Sequence, residues 1–240
     1  MKISFAGGGD SLHGVPTMEA VAPSRWTTFP SLSNLPSFAH AFTLRHPEIP
    51  VDVDREEALR RLTSWHLEVV QELGFSPAQL ATAAQVHGKN VAVVREPTSA
   101  PVPDTDGLVS NVSGVIIGIY VADCGAVFLA DPISGAFGIV HSGKKGSELN
   151  IIGEAIGVMM REFGTKPENL IVQLSPCIRP PVYEVDFAGA IRQQAVDSGV
   201  RPENVHDEGV CTSSDPAQFY SYRVEKGKTG RMLALLGRRK

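Results

Sequence analysis

Residues 115–131 read VIIGIYVADCGAVFLAD, two apolar runs separated by a short break at Ala122-Asp123-Cys124. A strand with one wet face alternates apolar and polar positions. VIIGIYV and AVFLAD leave almost no polar side, so both belong in a sheet covered on its two faces. Shorter β-type segments bounded by turn residues recur around them, at Val91–Arg95, Gly107–Ser110 and Ala136–His141. Residues 85–141 therefore form a central β-rich block that needs cover on both sides.

Helical patterns flank that block. Asp54 and Glu57 have the spacing of a capping box, after which Ala58, Leu59, Leu62, Trp65, Val69, Val70 and Leu73 recur at helical spacing and Gly74 supplies a left-handed stop. Beyond the block, Ser147–Phe163 predicts a second helix, with Leu149, Ile152, Ile156, Met159 and Phe163 on one side and Gly164 as its stop. A strand at Leu170–Leu174 follows, then a helix capped by Asp186 with Ile191 and Ala195 facing inward, then a strand and a helix between Phe219 and Leu236. Residues 1–40 are rich in Gly, Pro and Ser without a sustained period, and read as an irregular, mobile start with short strands. Within them Gly7-Gly8-Gly9 lacks GxGxxG spacing and reads as a flexible turn. Neither a linker nor an internal repeat interrupts the rest, so one α/β domain over residues 41–240 is expected.

The chain has 240 residues with 22 Lys+Arg against 26 Asp+Glu, a net charge of −4. That length buries a sufficient core without disulfide staples. The acidic balance provides no field for a polyanion, so small-molecule chemistry is expected and a nucleic-acid partner is not. Cys124, Cys177 and Cys211 are odd in number, far apart and without a CxxC, which fits reduced thiols in a cytosol. The opening MKISFAGGGDSLHG has no signal-like apolar run, and no stretch reaches the roughly 18 apolar residues of a membrane span. A soluble, cytoplasmic, monomeric protein without a membrane partner is the expectation.

Of the seven histidines, His13, His40, His46, His66 and His206 lie in turns, loops or helix positions read as exposed, and are taken as structural or surface groups. His87 and His141 differ. They stand at strand edges beside glycine-bearing sequence, in QVHG (85–88) and GIVHSG (138–143), and Cys124 stands likewise in VADCG (121–125). Two imidazoles and a thiolate suit zinc, and three protein ligands leave a fourth position open, the layout of a catalytic site. The plainer alternative is a buried thiol acting as a small hydrophobe beside hydrogen-bonded histidines. No HExxH or CxxC motif decides between the two.

The ordered blocks QVHG, ADC, HSGKKG, SPCIRPPVYEVD, CTSSD and FYSYR…TGRM resemble those of the YfiH-like family, also called the laccase-domain or multicopper polyphenol oxidase family. Its members show QVHG, ADC, HAGWRG, GPxIxxxxYEV, CT and FxSYRR…GRM in that order. The resemblance runs from about Phe42 to the C-terminus. It implies an α/β (α+β) fold, a single-domain layered α/β/β/α sandwich shared with toxin-type cysteine hydrolases. It also implies a mononuclear zinc site at His87, Cys124 and His141, and activity as a purine nucleoside phosphorylase and adenosine deaminase on adenosine, inosine or methylthioadenosine. In that reading Cys124, Asp123 and His141 are the catalytic residues, Asp123 orienting or transferring a proton. Phosphorolysis requires a held anion. Arg45 is the first candidate, since Phe42-Thr43-Leu44-Arg45 resembles the family's FSTR, and Lys145 is the second, at the arginine of HAGWRG. Arg223 and Arg231 match the family too, with Glu184 and Asp186 as carboxylates they could neutralise.

HSGKKG departs from the pattern at that point. Lys144 replaces a tryptophan, removing an aromatic face for a base, and Lys145 replaces a bidentate arginine with a point charge. Only HPEIPVDV separates Arg45 from Asp54, so one wall of the pocket is expected to be missing or rebuilt. Three alternatives follow: a Cys–His hydrolase of deamidase type with Cys124 as nucleophile and His141 as base, a non-catalytic zinc-binding member, and the older copper oxidase reading, whose several centres call for more histidines than converge here.

Overall fold

A computed structural model describes residues 24–98 and 100–240. The chain enters through β1 (Trp26–Thr27), α1 (Pro30–Ser33), β2 (Phe38–Thr43) and α2 (Arg55–Glu72). The central block holds β3 (Leu80–Thr82), β4 (Val91–Val93), β5 (Gly107–Ser110), β6 (Ile116–Val121), β7 (Gly125–Ala130) and β8 (Phe137–Ser142). After it come α3 (Lys144–Glu148), α4 (Ile151–Phe163), β9 (Ile171–Leu174), α5 (Phe187–Asp197), β10 (Val205–Asp207) and β11 (Met232–Arg238). The strands form two sheets, ordered β1-β2-β11-β6-β3 and β10-β9-β7-β8-β5-β4.

The apolar runs are explained by which core each residue enters. In β7, Ala126, Phe128 and Ala130 join the core between the sheets, whereas Val127 and Leu129 face α4 and α5. In β11, Met232, Ala234 and Leu236 point between the sheets, and Leu233 and Leu235 pack with Val69 and Val70 of α2 and with Leu73 just after it. Period-2 alternation still sorts the side chains, but both destinations are dry, so both must be apolar. The result is a layered α/β/β/α single domain, as the family resemblance implied.

Several elements depart from the sequence reading. β2 is a buried strand paired with both β1 and β11, so regular structure runs across residue 40. The Gly7-Gly8-Gly9 turn, His13 and the rest of residues 1–23 lie outside the described residues. Asp54 caps α2 by accepting the Glu57 N–H at 3.0 Å, but the Glu57 carboxylate turns to Arg60 and Arg61, so only half of the capping box forms. The single helix expected over Ser147–Phe163 is two, because Asn150 takes a left-handed φ of 53° and caps α4 through the Gly153 N–H. Leu149 is consequently exposed. No helix forms between Phe219 and Leu236: left-handed Lys226 and Gly227 turn the chain into a loop that leads to β11. His40 and His66 are buried, contrary to the surface reading. Among the described residues no helix is long and apolar enough to cross a membrane.

Candidate metal centre and its cavity

Three separate chain segments meet at one rim of the second sheet. β8 carries His141, whose backbone pairs with Ala126 of β7. Cys124 precedes β7 in a tight turn that Asp123 makes possible with a left-handed φ of 83°. His87 lies in the loop after β3, itself left-handed at φ 60°. One ligand atom from each of His87, Cys124 and His141 lies within 4.8 Å of the other two, and the imidazole centroids are 4.6 Å apart. Gly143 makes room for the thiol, since a Cβ there would stand 2.4 Å from Cys124 Sγ.

Asp106 ties the cluster together. It is fully buried, and its Oδ1 accepts the His87 N–H at 2.9 Å and pairs with His141 Nδ1 at 2.8 Å. Oδ2 accepts the backbone N–H groups of Val86 at 3.1 Å and Gly88 at 2.7 Å. One carboxylate thus shapes the loop that presents His87 and holds the ring of His141 by Nδ1, which directs Nε2 at the cluster. Burial alone would raise the Asp106 carboxyl, but the His141 bond and the two amides of Gly88 and Val86 outweigh it and hold the group at about 2. For Cys124 burial again opposes ionisation, and hydrogen bonds from His141 and His87 bring the thiol down to about 6. Burial would lower His141, yet Asp106 and then Cys124 raise it to about 9. The protein without metal therefore favours a thiolate beside an imidazolium.

The cluster faces a cavity of about 960 Å³. Four cations line it: Arg55 at the start of α2, Arg223 and Lys226 in the loop before β11, and Arg231. Arg223 pairs with Glu184 at 2.9 Å and lies over the Tyr183 ring at 5.0 Å, which bears out the expected carboxylate partner. Arg231 is buried and donates only to the carbonyls of Thr229 and Gly230, both at 2.8 Å. Burial and then the neighbouring Arg55 charge depress it. Among the described residues no carboxylate forms an ion pair with either Arg55 or Arg231, and Arg231 has the more distant charges of Cys124 and Asp123 in its favour.

The other candidates take different parts. Asp123 lines the cavity, but its oxygens accept the Thr212 hydroxyl and the Arg223 backbone N–H, each at 2.7 Å. Arg45 and Lys145 are not cavity residues, and the placement expected for them is corrected. The Arg45 guanidinium pairs with Glu225 at 2.6 Å and stacks 4.4 Å over Tyr220, while Lys145 is exposed on α3. Lys144 is exposed beside it, and the tyrosine rings on the cavity wall come from Tyr120, Tyr183 and Tyr222. Sequence reasoning missed Asp106, Arg55 and Lys226. For Asp106 the available signal is a carboxylate immediately before the glycine that opens β5; for the two cations there is none.

This fold and this cluster define the class. A family model described as multi-copper polyphenol oxidoreductase laccase matches residues 53–188 and 185–239, and the chain belongs to that family. Among its curated relatives, the purine nucleoside phosphorylase of Deinococcus radiodurans is 31% identical over 232 residues, covering 82% of this chain and 88% of that one. The purine nucleoside phosphorylase YlmD of Geobacillus stearothermophilus is 27% identical over 218 residues, covering 75% and 77%. The crystal structure of the same YlmD superposes with a TM-score of 0.80 at 23% identity, covering 94% of this chain and all of that one. The Bacillus licheniformis protein YfiH gives 0.79 at 20% identity, covering 87% and 95%. At those identities the two structures speak for the fold alone.

Proposed function

We propose that His87, Cys124 and His141 hold one zinc ion and that the cavity above them carries out phosphorolysis of purine nucleosides, with adenosine, inosine and methylthioadenosine as candidates, together with deamination of adenosine. The observation that carries this reading is the pairing of a three-ligand cluster with two guanidiniums that have no ion-pair partner among the described residues, in one cavity. The donor set fits zinc: one thiolate, two imidazoles, and a buried carboxylate fixing the tautomer of one of them. A bound ion would supply Lewis acidity and a fixed positive charge on the cavity floor.

The chain's own residues account for the rest. In phosphorolysis a phosphate oxygen bonds to C1′ of the sugar as the bond from C1′ to the base breaks and the base takes up the proton that phosphate gives up, leaving ribose 1-phosphate, or its 5-methylthio form from methylthioadenosine, and free base. Arg55 and Arg231 are the phosphate site, because guanidiniums match phosphate oxygens in pairs and here have no carboxylate to leave first. They also offset negative charge brought next to the thiolate. Asp123 serves as a positioning residue, fixing Thr212 and the backbone at Arg223 against the turn that carries Cys124. In deamination a water oxygen replaces the C6 amino group, which leaves as ammonia. The names of the relatives supply the nucleoside class.

A second reading is favoured by one observation. The lowered Cys124 thiol beside a raised His141 is the charge state of a cysteine hydrolase, with Cys124 as nucleophile and His141 as base. Incubating the protein with adenosine and with inosine, with and without phosphate, separates the readings. Phosphate-dependent adenine and hypoxanthine, and inosine formed from adenosine, are expected, and all are lost in His87→Ala along with the metal. A hydrolase that needs only Cys124 and His141 would retain activity in His87→Ala. Stoichiometric metal without any nucleoside product would mark a non-catalytic zinc-binding protein.

A further inference from the structure

We propose that Tyr222 is the platform on which the purine base stacks, and that the loop from Ser221 to Thr229 is built to hold its ring in place; this rests on the nucleoside reading of the cavity. Three tyrosines line the cavity, and two are already engaged. Tyr120 sits in β6 against the buried His66, with ring centroids 5.5 Å apart. Tyr183 is backed by Phe187 and carries the Arg223 guanidinium, itself pinned by Glu184, over its ring. Tyr222 is 56% exposed, the Arg231 guanidinium lies over its ring at the longer distance of 5.9 Å, and among the described residues its hydroxyl has no hydrogen-bond partner. An exposed ring on the wall of a cavity offers a π-face, and every purine presents a complementary one.

The ring is open but not loose. Gly227, left-handed at φ 88°, donates its N–H to the Tyr222 carbonyl at 2.9 Å, and a Cβ there would lie 3.3 Å from the ring carbons and hydroxyl of Tyr222. The bare glycine therefore lets the phenol ring lie down against the loop. The loop itself folds around the Glu225 carboxylate, which accepts the Ser221 N–H at 3.0 Å and the Thr229 hydroxyl and pairs with Arg45. Arg45, outside the cavity, thus acts as a positioning residue for a loop that supplies Tyr222, Arg223 and Lys226 to it. The platform is set before any ligand arrives, which lowers the ordering cost of binding.

The test compares Tyr222→Ala, Tyr222→Phe and Gly227→Ala in metal-replete protein. Adenosine affinity is measured by equilibrium dialysis without phosphate, and KM is measured separately for adenosine and for phosphate. Tyr222→Ala is expected to weaken adenosine in both measurements by tenfold or more, with a much smaller change in KM for phosphate, since Arg231 keeps its backbone contacts, and with metal content unchanged. Tyr222→Phe keeps the ring and stays within about twofold, and Gly227→Ala, which presses on the ring and strains the left-handed turn behind it, weakens adenosine in the same direction but by less than Tyr222→Ala. Adenosine affinity within twofold of the parent in Tyr222→Ala, in a parent that does convert nucleosides, overturns the platform alone. Equal loss toward adenosine and phosphate would also overturn it, by making the loop merely structural. A parent that neither binds nor converts adenosine or inosine refutes the nucleoside reading itself.

Discussion

At Asp106 a single carboxylate receives one imidazole and three amides, and that concentration of bonds makes it the most informative residue outside the cluster. Asp106→Asn keeps the shape, but its amide offers only one oxygen and replaces an anion with a dipole. Metal affinity, measured by competition with a chelator, should fall about 10–100-fold, as for other carboxylates that orient a ligating histidine. Cys124 gives a second prediction at this scale. Because His141 and His87 bring its thiol down to about 6, thiolate predominates above that pH in metal-free protein. Iodoacetamide should modify Cys124 with a rate that rises through pH 6 and is close to its plateau at pH 7. Bound metal should suppress the reaction, whereas an inflection near the ordinary thiol value would remove the assigned contacts.

Among the elements, the buried strands were the easiest to read in advance and the loops between them the hardest. β6 and β7 appear as apolar runs because both their faces are dry, and their ends agree with the observed strands to within a residue. His87, Cys124 and His141 were legible as ligand types at glycine-bearing strand ends. Asp106 was not, since a carboxylate in Asp104-Thr105-Asp106-Gly107 has the same composition as any polar turn, and its partners are brought to it by tertiary structure alone. The break at Asn150 and the turn at Lys226-Gly227 escaped for a related reason. Both depend on left-handed backbone set by local side-chain bonds, while the flanking hydrophobic period continues undisturbed. The Arg45–Glu225 pair tests the loop as a unit: Glu225→Ala removes its centre and leaves the half-buried Arg45 without a counter-ion. A loss of about 1–3 kcal/mol in denaturant unfolding is expected, together with a rise in KM for nucleoside. Unchanged KM would mean that the loop keeps its shape without the pair.

For the molecule as a whole, part of the pH dependence of stability comes from two histidines outside the cavity lining. Burial pushes His40 and His66 down to about 4, and His40 Nε2 accepts the Phe29 N–H at 2.8 Å, a role open only to the neutral ring. The unfolded chain therefore binds more protons than the folded one between about pH 6.5 and 4. Stability from these two groups is complete above about 6.5 and is lost as the pH falls toward 4, by up to about 3 kcal/mol each. Thermal melts of His66→Leu should show a shallower decline over that interval than the parent, and equal slopes would contradict the assignment. The two sheets place His87, Cys124 and His141 at a rim where loops from both converge, so the fold brings the proposed metal site and the proposed anion site into one cavity. X-ray absorption at the zinc edge of the purified protein tests that arrangement most directly. One sulfur at about 2.3 Å and two imidazole nitrogens at about 2.0–2.1 Å are predicted, and a shell without sulfur, or protein containing no metal, would contradict it.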